Sequence, residues 1–245
     1  MKSPSILNRS TTTSVIRNEA IYLLPARFYL IQLILLGVTG LIFTWISRHE
    51  SWDLALTRVW FDPVTQQFPW KDNRWLDLIN HRLLKDVVIA AAAVALVTGL
   101  VQRNARLVLI TVLIGVGPLV VGILKANSAH SCPWDLVEFG GKAVSFPLFS
   151  AIPLDSGPGR CFPGGHASSG FGMMALFFWY WPRRPARAWC CFALGVTLGM
   201  VMGYGQMMRG AHFLSHNLWA GWWAWLSQCL TFGCVSYLVN KTRKI

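Results

Sequence analysis

Three histidines lie in sequence contexts that suit proton transfer or nucleophilic attack. His166 ends the Gly-rich stretch PGGH, and His212 and His216 lie four residues apart in GAHFLSH. An imidazole has an ordinary pKa of about 6.5, so near neutral pH it both accepts and donates a proton. Glycines let backbone N–H groups approach an anion, and cationic side chains neutralise its charge. These residue types predict a site that binds an anion and transfers protons.

Most of the chain must cross or contact a membrane. The 245 residues have a mean hydropathy of +0.44, with 54% hydrophobic and only 13% charged residues. Six uncharged runs are residues 28–47, 87–102, 107–124, 167–182, 188–208 and 217–240. A membrane-spanning helix needs about 20 apolar residues, so the second and fourth runs must include flanking residues. The predicted fold is all-α: a single polytopic membrane domain with six transmembrane helices over residues 1–245.

The distribution of Lys and Arg orients these helices. With the N-terminus in the cytoplasm, the inner segments receive 12 cations and one acid, and the outer ones 10 cations and 9 acids. Short cytoplasmic loops are rich in Lys and Arg, so we expect a bacterial inner-membrane protein with both termini cytoplasmic and residues 1–26 as a cytoplasmic tail. The net charge of +12 is then mostly a topology signal; its scattered cations do not indicate nucleic-acid binding.

Three outer segments remain to build a site on the periplasmic face. Residues 48–86 mix tryptophans and charges, which predicts short amphipathic helices on the membrane surface. Residues 125–166, rich in Gly and Pro, form the predicted active-site loop, and the turn at 205–216 opens on the same side. Six ionisable residues are expected to meet there: Lys125, Arg160, His166, Arg209, His212 and His216.

Three motifs give the chain a resemblance to a known family. KANSAHSCP begins at Lys125, PGGH ends at His166, and GQMMRGAHFLSH contains His212. These stretches resemble the motifs Lys-x6-Arg-Pro, Pro-Ser-Gly-His and Ser-Arg-x5-His-x3-Asp of the type 2 phosphatidic-acid phosphatase superfamily. They occur in the same order along the chain and on the same side of the membrane. The resemblance extends over residues 28–240, in the number of spans as well as in motif order.

The chain departs from the family motifs at four positions. Cys132 and Gln206 stand where the family has arginines, Gly164 where it has serine, and His216 where it has aspartate. Two arginines that bind phosphate in the family are therefore missing from this chain.

The resemblance implies phosphoryl transfer without a metal ion or another cofactor. His212 takes the position of the family's nucleophile, which forms a phosphohistidine. His166 takes the position of the acid–base, which protonates the departing oxygen and then activates water. The family's aspartate orients the nucleophile; here that role falls to His216, or to Asp135 or Glu138 of the preceding loop.

The groups expected to bind phosphate are Lys125, Arg160, Arg209 and the backbone N–H groups of Gly164 and Gly165. Lys125 matches the first motif. The two arginines lie within a few residues of the key histidines, and we expect them to supply the charge that the missing family arginines would have provided.

Two of the six cysteines fall in the outer loop, each beside a motif. Cys132 and Cys161 are expected to form a disulfide, because the periplasm is oxidising and the bridge would tie the Lys125 segment to the His166 turn. Two free thiols are the alternative.

A site at the membrane surface predicts a phosphorylated membrane lipid as partner. The predicted reaction is dephosphorylation of undecaprenyl diphosphate, phosphatidate, phosphatidylglycerol phosphate or lipid A, among which the sequence does not choose. Two alternatives remain open: a phosphotransferase of the same fold that uses a lipid acceptor, and a non-catalytic lipid-binding relative. The oligomeric state is not predicted.

Overall fold

The computed structural model describes residues 21–242, apart from the side chain of His81. Most of the expected cytoplasmic tail, residues 1–26, thus lies outside the described residues. Between residues 21 and 242 the chain has helices and turns, no strand and two isolated β-bridges. The all-α prediction is confirmed.

Within residues 21–242, eight α-helices account for the six apolar runs and their connections. In chain order they are α1 (Ala26–Arg48), α2 (Ser51–Arg58), α3 (Leu84–Val101), α4 (Ala105–Ala126), α5 (Gly165–Gly172), α6 (Phe177–Tyr180), α7 (Pro185–Met208) and α8 (Leu214–Thr242). A π-helical segment, Leu76–Leu83, leads into α3, and 3₁₀ turns lie at Pro133–Asp135, Val137–Phe139 and Met173–Leu176.

Four helices within residues 21–242 are long and apolar enough to cross a membrane. They are α1, α3 with its π-helical extension, α4 and α7. The fourth expected span is a helical segment interrupted by the 3₁₀ turn Met173–Leu176. The sixth is α8, whose 29 residues include several tryptophans and polar side chains. The chain is a membrane protein; crossing by these last two segments stays a prediction.

The outward surfaces of these helices are suited to lipid rather than water. On α1, Leu30, Ile34 and Leu41 are 59%, 56% and 74% exposed, and α3 and α4 carry similar rows of exposed Val, Leu and Ile. Exposed apolar surface of this extent marks an interaction surface, and around a ring of long apolar helices the matching partner is the lipid bilayer.

Helices α4, α5, α7 and α8 form the centre of the bundle, with α3 against α4 and α1 against α8. Small residues let the central helices cross closely. A Cβ added at Gly170 of α5 would lie 2.5 Å from the backbone nitrogen of Gly199 of α7, and one at Gly117 of α4 would lie 2.9 Å from Cβ of Ala224 of α8. Such close backbone approach is typical of helix packing inside membranes.

The outer segment between α1 and α3 packs against the predicted active-site loop. Phe68 is buried together with Leu136, Phe139 and Phe213, so three outer segments share one small apolar cluster. Of this segment, Ser51–Arg58 is α-helical and Leu76–Leu83 is π-helical, with turns between them. The segment therefore packs over the loop, and its position at the membrane surface stays a prediction.

We expect Gly199→Ala to destabilise the bundle and Gly115→Ala to be tolerated. A Cβ at Gly199 would overlap the buried ring of Phe171, whereas one at Gly115 of α4 meets nothing within 4 Å. Overpacking costs about 1–3 kcal/mol, whereas replacing glycine by alanine in an open helical position is favourable by up to about 1 kcal/mol. Thermal unfolding in detergent measures the stability of both variants. Equal unfolding midpoints for the two variants would contradict the close crossing of α5 and α7.

Candidate active site

The expected catalytic residues meet at one end of the bundle, where α4 and α7 end and α3, α5 and α8 begin. A cavity of about 320 Å³ opens there. Its lining residues are Lys85, Lys125, Cys132, Trp134, Gly165, His166, Ser169, Gln206, Ala211 and His212. No Asp or Glu is among these described lining residues, so the charge that surrounds the cavity is positive. The arrangement suits an anion.

Lys125 reaches the cavity because α5 begins with glycine. Lys125 is the next-to-last residue of α4. A Cβ at Gly165 would lie 3.1 Å from Cδ and 3.7 Å from Nζ of Lys125, so a larger side chain at 165 would crowd the ammonium group. The first N–H groups of a helix lack partners within the helix and attract anions. Lys125 and the start of α5 therefore face the same space.

His166 is held by a hydrogen bond from outside its own helix. Its Nε2 lies 2.6 Å from the backbone carbonyl oxygen of Asn80, in the π-helical segment before α3. A carbonyl only accepts, so Nε2 carries a proton, and proton transfer to or from a substrate falls to Nδ1. The Asn80 side chain is itself fixed, because it donates to the carbonyl of Val201 and accepts from Gln206. This network was not visible in the sequence.

His212 lies in the turn between α7 and α8 and is 4% exposed. Its Nδ1 is 3.6 Å from Sγ of Cys161, which leaves Nε2 as the nitrogen on the other edge of the ring. His212 and His166 line the same cavity. The structure therefore brings together the two imidazoles that the sequence analysis assigned to catalysis.

His216 lies behind His212 rather than in the cavity. The two rings are 5.7 Å apart between centroids, and His216 accepts a backbone hydrogen bond of 2.8 Å from Gly164 through its carbonyl. Its buried Nδ1 has no hydrogen-bond partner among the described residues. His216 is thus placed to support His212 and the PGGH turn, whereas neither Asp135 nor Glu138 lines the cavity.

The start of α8 is fixed by a carboxylate from α2. Asp53 is 6% exposed, and it accepts the backbone N–H of Ser215 at 3.1 Å. Burial raises the pKa of Asp53, and the hydrogen bonds from Ser215 oppose that shift. A carboxylate at a helix N-terminus stabilises the first turn, which here carries His216.

A disulfide joins the first motif to the segment just before the second. Cys132 and Cys161 are bonded, with their Cα atoms 5.1 Å apart. Beside the bridge, Cys161 donates its backbone N–H to the carbonyl of His130 at 2.9 Å, and Trp134 donates to Gly210 at 3.0 Å. Burial lowers the pKa of His130, whose ring stacks on Phe146 outside the cavity. The bridge and these bonds hold the loop against both histidine turns.

Cys161, His212 and His216 also place three potential metal donors within 4.8 Å of one another. The sulfur of Cys161 is bonded to Cys132, however, and a thiolate rather than a disulfide sulfur is the metal ligand. Two imidazoles remain, fewer than the three protein ligands typical of a catalytic zinc site.

The two arginines expected to bind phosphate do not line the cavity. Arg209 donates from Nε to the carbonyl of Lys71 and pairs with Asp77 at 3.5 Å. Arg160 is exposed, and its backbone N–H bonds to Ser128. The second cation of the cavity is instead Lys85, at the start of α3. The sequence signal that could have revealed it is a charge at a span end, where ionisable groups are often functional.

Gly164, where the family has serine, touches Asn217 of α8. A Cβ at Gly164 would lie 2.6 Å from Oδ1 of Asn217, and one at Gly203 of α7 would lie 2.6 Å from Cγ of Asn217. Asn217 is fully buried. The asparagine thus fills the space between the PGGH turn and α7, and it leaves no room for the family's serine.

We expect Gly164→Ser, which restores the family residue, to destabilise this protein. The added side chain collides with Asn217, and overpacking of this kind costs about 1–3 kcal/mol. Combining Gly164→Ser with Asn217→Ala should recover much of the lost stability. Thermal unfolding of the single and double variants measures this coupling. Gly37→Ser is the control, since a Cβ there meets nothing within 4 Å. Strictly additive effects at 164 and 217 would contradict the contact.

Comparison with known proteins gives one match. A sequence model of the PAP2 superfamily matches residues 106–240. Searches of curated proteins and of solved structures returned no match. The matched residues include Lys125, His166 and His212, and they exclude α1, α2 and α3. Because the match covers more than half of the chain and all three motifs, the protein belongs to the PAP2 superfamily, whose members are phosphatases.

Proposed function

We propose that the protein removes phosphate from a membrane lipid phosphate or diphosphate through a phosphohistidine intermediate. The observation that supports this most is the cavity itself, in which His166, His212 and Lys125 converge from three segments, with no Asp or Glu among the lining residues that the structure describes. Two imidazoles beside a cation can supply the nucleophile, the acid–base and the positive charge that phosphoryl transfer uses.

In the first step, His212 attacks the phosphorus atom through Nε2, since its Nδ1 is turned towards Cys161. The bond between phosphorus and the lipid oxygen breaks, and its electron pair leaves with that oxygen. His166, protonated on Nδ1 while Nε2 stays bonded to Asn80, donates a proton to the departing oxygen. The lipid alcohol, or lipid monophosphate, is released and His212 carries the phosphoryl group.

In the second step, water replaces the lipid. Nδ1 of His166, now neutral, takes a proton from a water molecule as its oxygen bonds to phosphorus. The bond between phosphorus and His212 breaks, and inorganic phosphate leaves. His166 thus acts as acid and then as base, which one imidazole performs well near neutral pH.

Charge on the equatorial oxygens is stabilised by Lys125 and by the first N–H groups of α5. Donors fixed before the reaction stabilise developing charge more than solvent does, because they need not reorient as the charge develops. His216 supports the position of His212 from behind the cavity, in the place of the family's aspartate. The scheme uses no metal ion or other cofactor.

A lipid substrate is favoured by the surface below the cavity. Two and six residues before Lys125 in α4, Ile123 and Leu119 are 57% and 62% exposed, and two residues after Lys85 in α3, Val87 is 55% exposed. A lipid whose tails lie against these side chains carries its phosphate at the level of the cavity. Undecaprenyl diphosphate, phosphatidate, phosphatidylglycerol phosphate and lipid A all have this form.

The charges at the two ends of the bundle support a periplasmic site in a bacterial inner membrane. At the end of the bundle opposite the cavity, Arg103 follows α3, Arg183 and Arg184 precede α7, and Arg187 lies in the first turn of α7. Because Lys and Arg accumulate in cytoplasmic loops, the cavity faces the periplasm. That compartment is also the one in which the Cys132–Cys161 disulfide persists.

The direct test is phosphate release by the purified protein from vesicles that contain each of these lipids. We expect inorganic phosphate from at least one lipid, and faster release from a long-chain phosphatidate than from its water-soluble short-chain analogue. Phosphate that appears on a second lipid instead of in solution would identify a phosphotransferase. No release and no transfer from any lipid would contradict the proposal.

We expect His166→Gln to trap the intermediate when p-nitrophenyl phosphate is the substrate. Nitrophenolate leaves without a proton, so the first step survives, whereas the second step lacks its base. Turnover should fall by about 10²–10⁴-fold, while acid-labile, base-stable phosphohistidine accumulates on His212. Mass spectrometry of the protein measures the phosphoryl group bound to His212.

His212→Gln should give neither turnover nor phosphohistidine. The control is His49→Gln, which should behave like wild type, because His49 is exposed and its ring is hydrogen-bonded to the carbonyl of Trp45 outside the cavity. Size-exclusion profiles show whether each variant is folded. Phosphorylation at another residue, or none in folded His166→Gln protein that still releases nitrophenolate, would contradict the assigned roles.

A further inference from the structure

We propose that Lys85 is a second phosphate-binding residue and that it supplies charge that the family's missing arginines would otherwise provide. This inference rests on the proposed function, and it adds a residue that lies outside both the three motifs and the matched residues 106–240. Lys85 lines the cavity together with Lys125, His166 and His212.

The cavity needs this charge because the other expected sources lie elsewhere. Cys132 lines it at the position of a family arginine, but its sulfur is in a disulfide; Gln206, at the position of another, donates to Asn80. Arg160 and Arg209 do not line it. Without Lys85, Lys125 would be the only lysine or arginine among the described lining residues.

Lys85 is available to a ligand. Its one ion pair within the described part of the chain is with its neighbour Asp86, at 3.8 Å, and the two side chains are 39% and 66% exposed. An exposed pair of adjacent residues is weak, since solvent screens it. Little stabilisation is therefore lost when the Lys85 ammonium group turns from Asp86 to a phosphate oxygen.

The location of Lys85 favours binding of a phosphate whose lipid remains in the membrane. It is the second residue of α3, and the exposed apolar face of that helix continues directly below it. Lys125 lies at the corresponding end of α4, which packs against α3. The two ammonium groups thus stand at the upper ends of two neighbouring lipid-facing helices, with the histidines beside them.

The experiment compares Lys85→Met, Lys85→Arg and Lys142→Met. Lys142 is an exposed lysine of the outer loop 125–166 that does not line the cavity. Each purified protein is assayed for hydrolysis of a phosphatidate in vesicles and for binding of orthovanadate, a phosphate analogue, by the shift in thermal unfolding midpoint.

For Lys85→Met we expect kcat/KM to fall about 10- to 150-fold and orthovanadate to bind correspondingly more weakly. This range corresponds to the loss of one charge-assisted hydrogen bond of roughly 1.5–3 kcal/mol. Lys85→Arg should restore most of both, and Lys142→Met should match wild type. His212→Gln separates binding from chemistry, because it should lack turnover and yet lose orthovanadate affinity only in part.

The outcomes distinguish the two proposals. If wild type hydrolyses the lipid and binds orthovanadate but folded Lys85→Met does so equally well, the role of Lys85 is wrong and the proposed function stands. If wild type neither hydrolyses a phosphate ester nor binds orthovanadate, both are wrong. A loss with Lys142→Met equal to that with Lys85→Met would also overturn the inference, because it would show a general effect of surface charge.

Discussion

The site depends on holding several cationic or protonatable groups close together before any anion neutralises them. Lys85, Lys125, His166 and His212 line one cavity with no carboxylate among the described lining residues. Such groups repel one another when charged, so the scaffold must supply the energy that keeps them together. Phosphate then binds a preorganised site, which is the condition for strong electrostatic stabilisation of a transition state.

The scaffold meets this demand with contacts that bypass the charged groups. A disulfide joins the loop of the first motif to the residues before the second, Asn80 fixes His166 through its backbone carbonyl, and Gly164 bonds to the backbone of His216. Beneath them, glycine contacts bring α5 against α7. In this reading the departure at Cys132 exchanges an electrostatic contact for a covalent one, and the departure at Gly164 makes room for Asn217.

Much of the architecture was predictable because it follows from hydropathy. Helices α1, α4 and α7 begin and end within three residues of the apolar runs predicted for them, and Lys125, His166 and His212 fall on motif positions that fix their place. The motif histidines were therefore found from sequence, whereas the interruption at Met173–Leu176 was not, since an apolar run does not reveal whether its helix is continuous.

The missed residues act through tertiary contacts that leave no local pattern. Nothing in the sequence around Asn80 or Asn217 indicates that a carbonyl will meet His166 or that an amide will fill the space beside Gly164. Proximity in sequence also failed to predict which cations line the cavity. Arg160 and Arg209 are near the histidines along the chain, yet Lys85, from a different helix, lines the cavity. Which cations meet is decided by the packing of helix ends.

The most direct measurement is an experimental structure of the protein in lipid nanodiscs with orthovanadate bound. We expect vanadium bonded to Nε2 of His212, with His166 and the ammonium groups of Lys85 and Lys125 within hydrogen-bond distance of its oxygens. Vanadate bound elsewhere, or bonded to a residue other than His212 while the two histidine rings lie apart, would contradict this expectation.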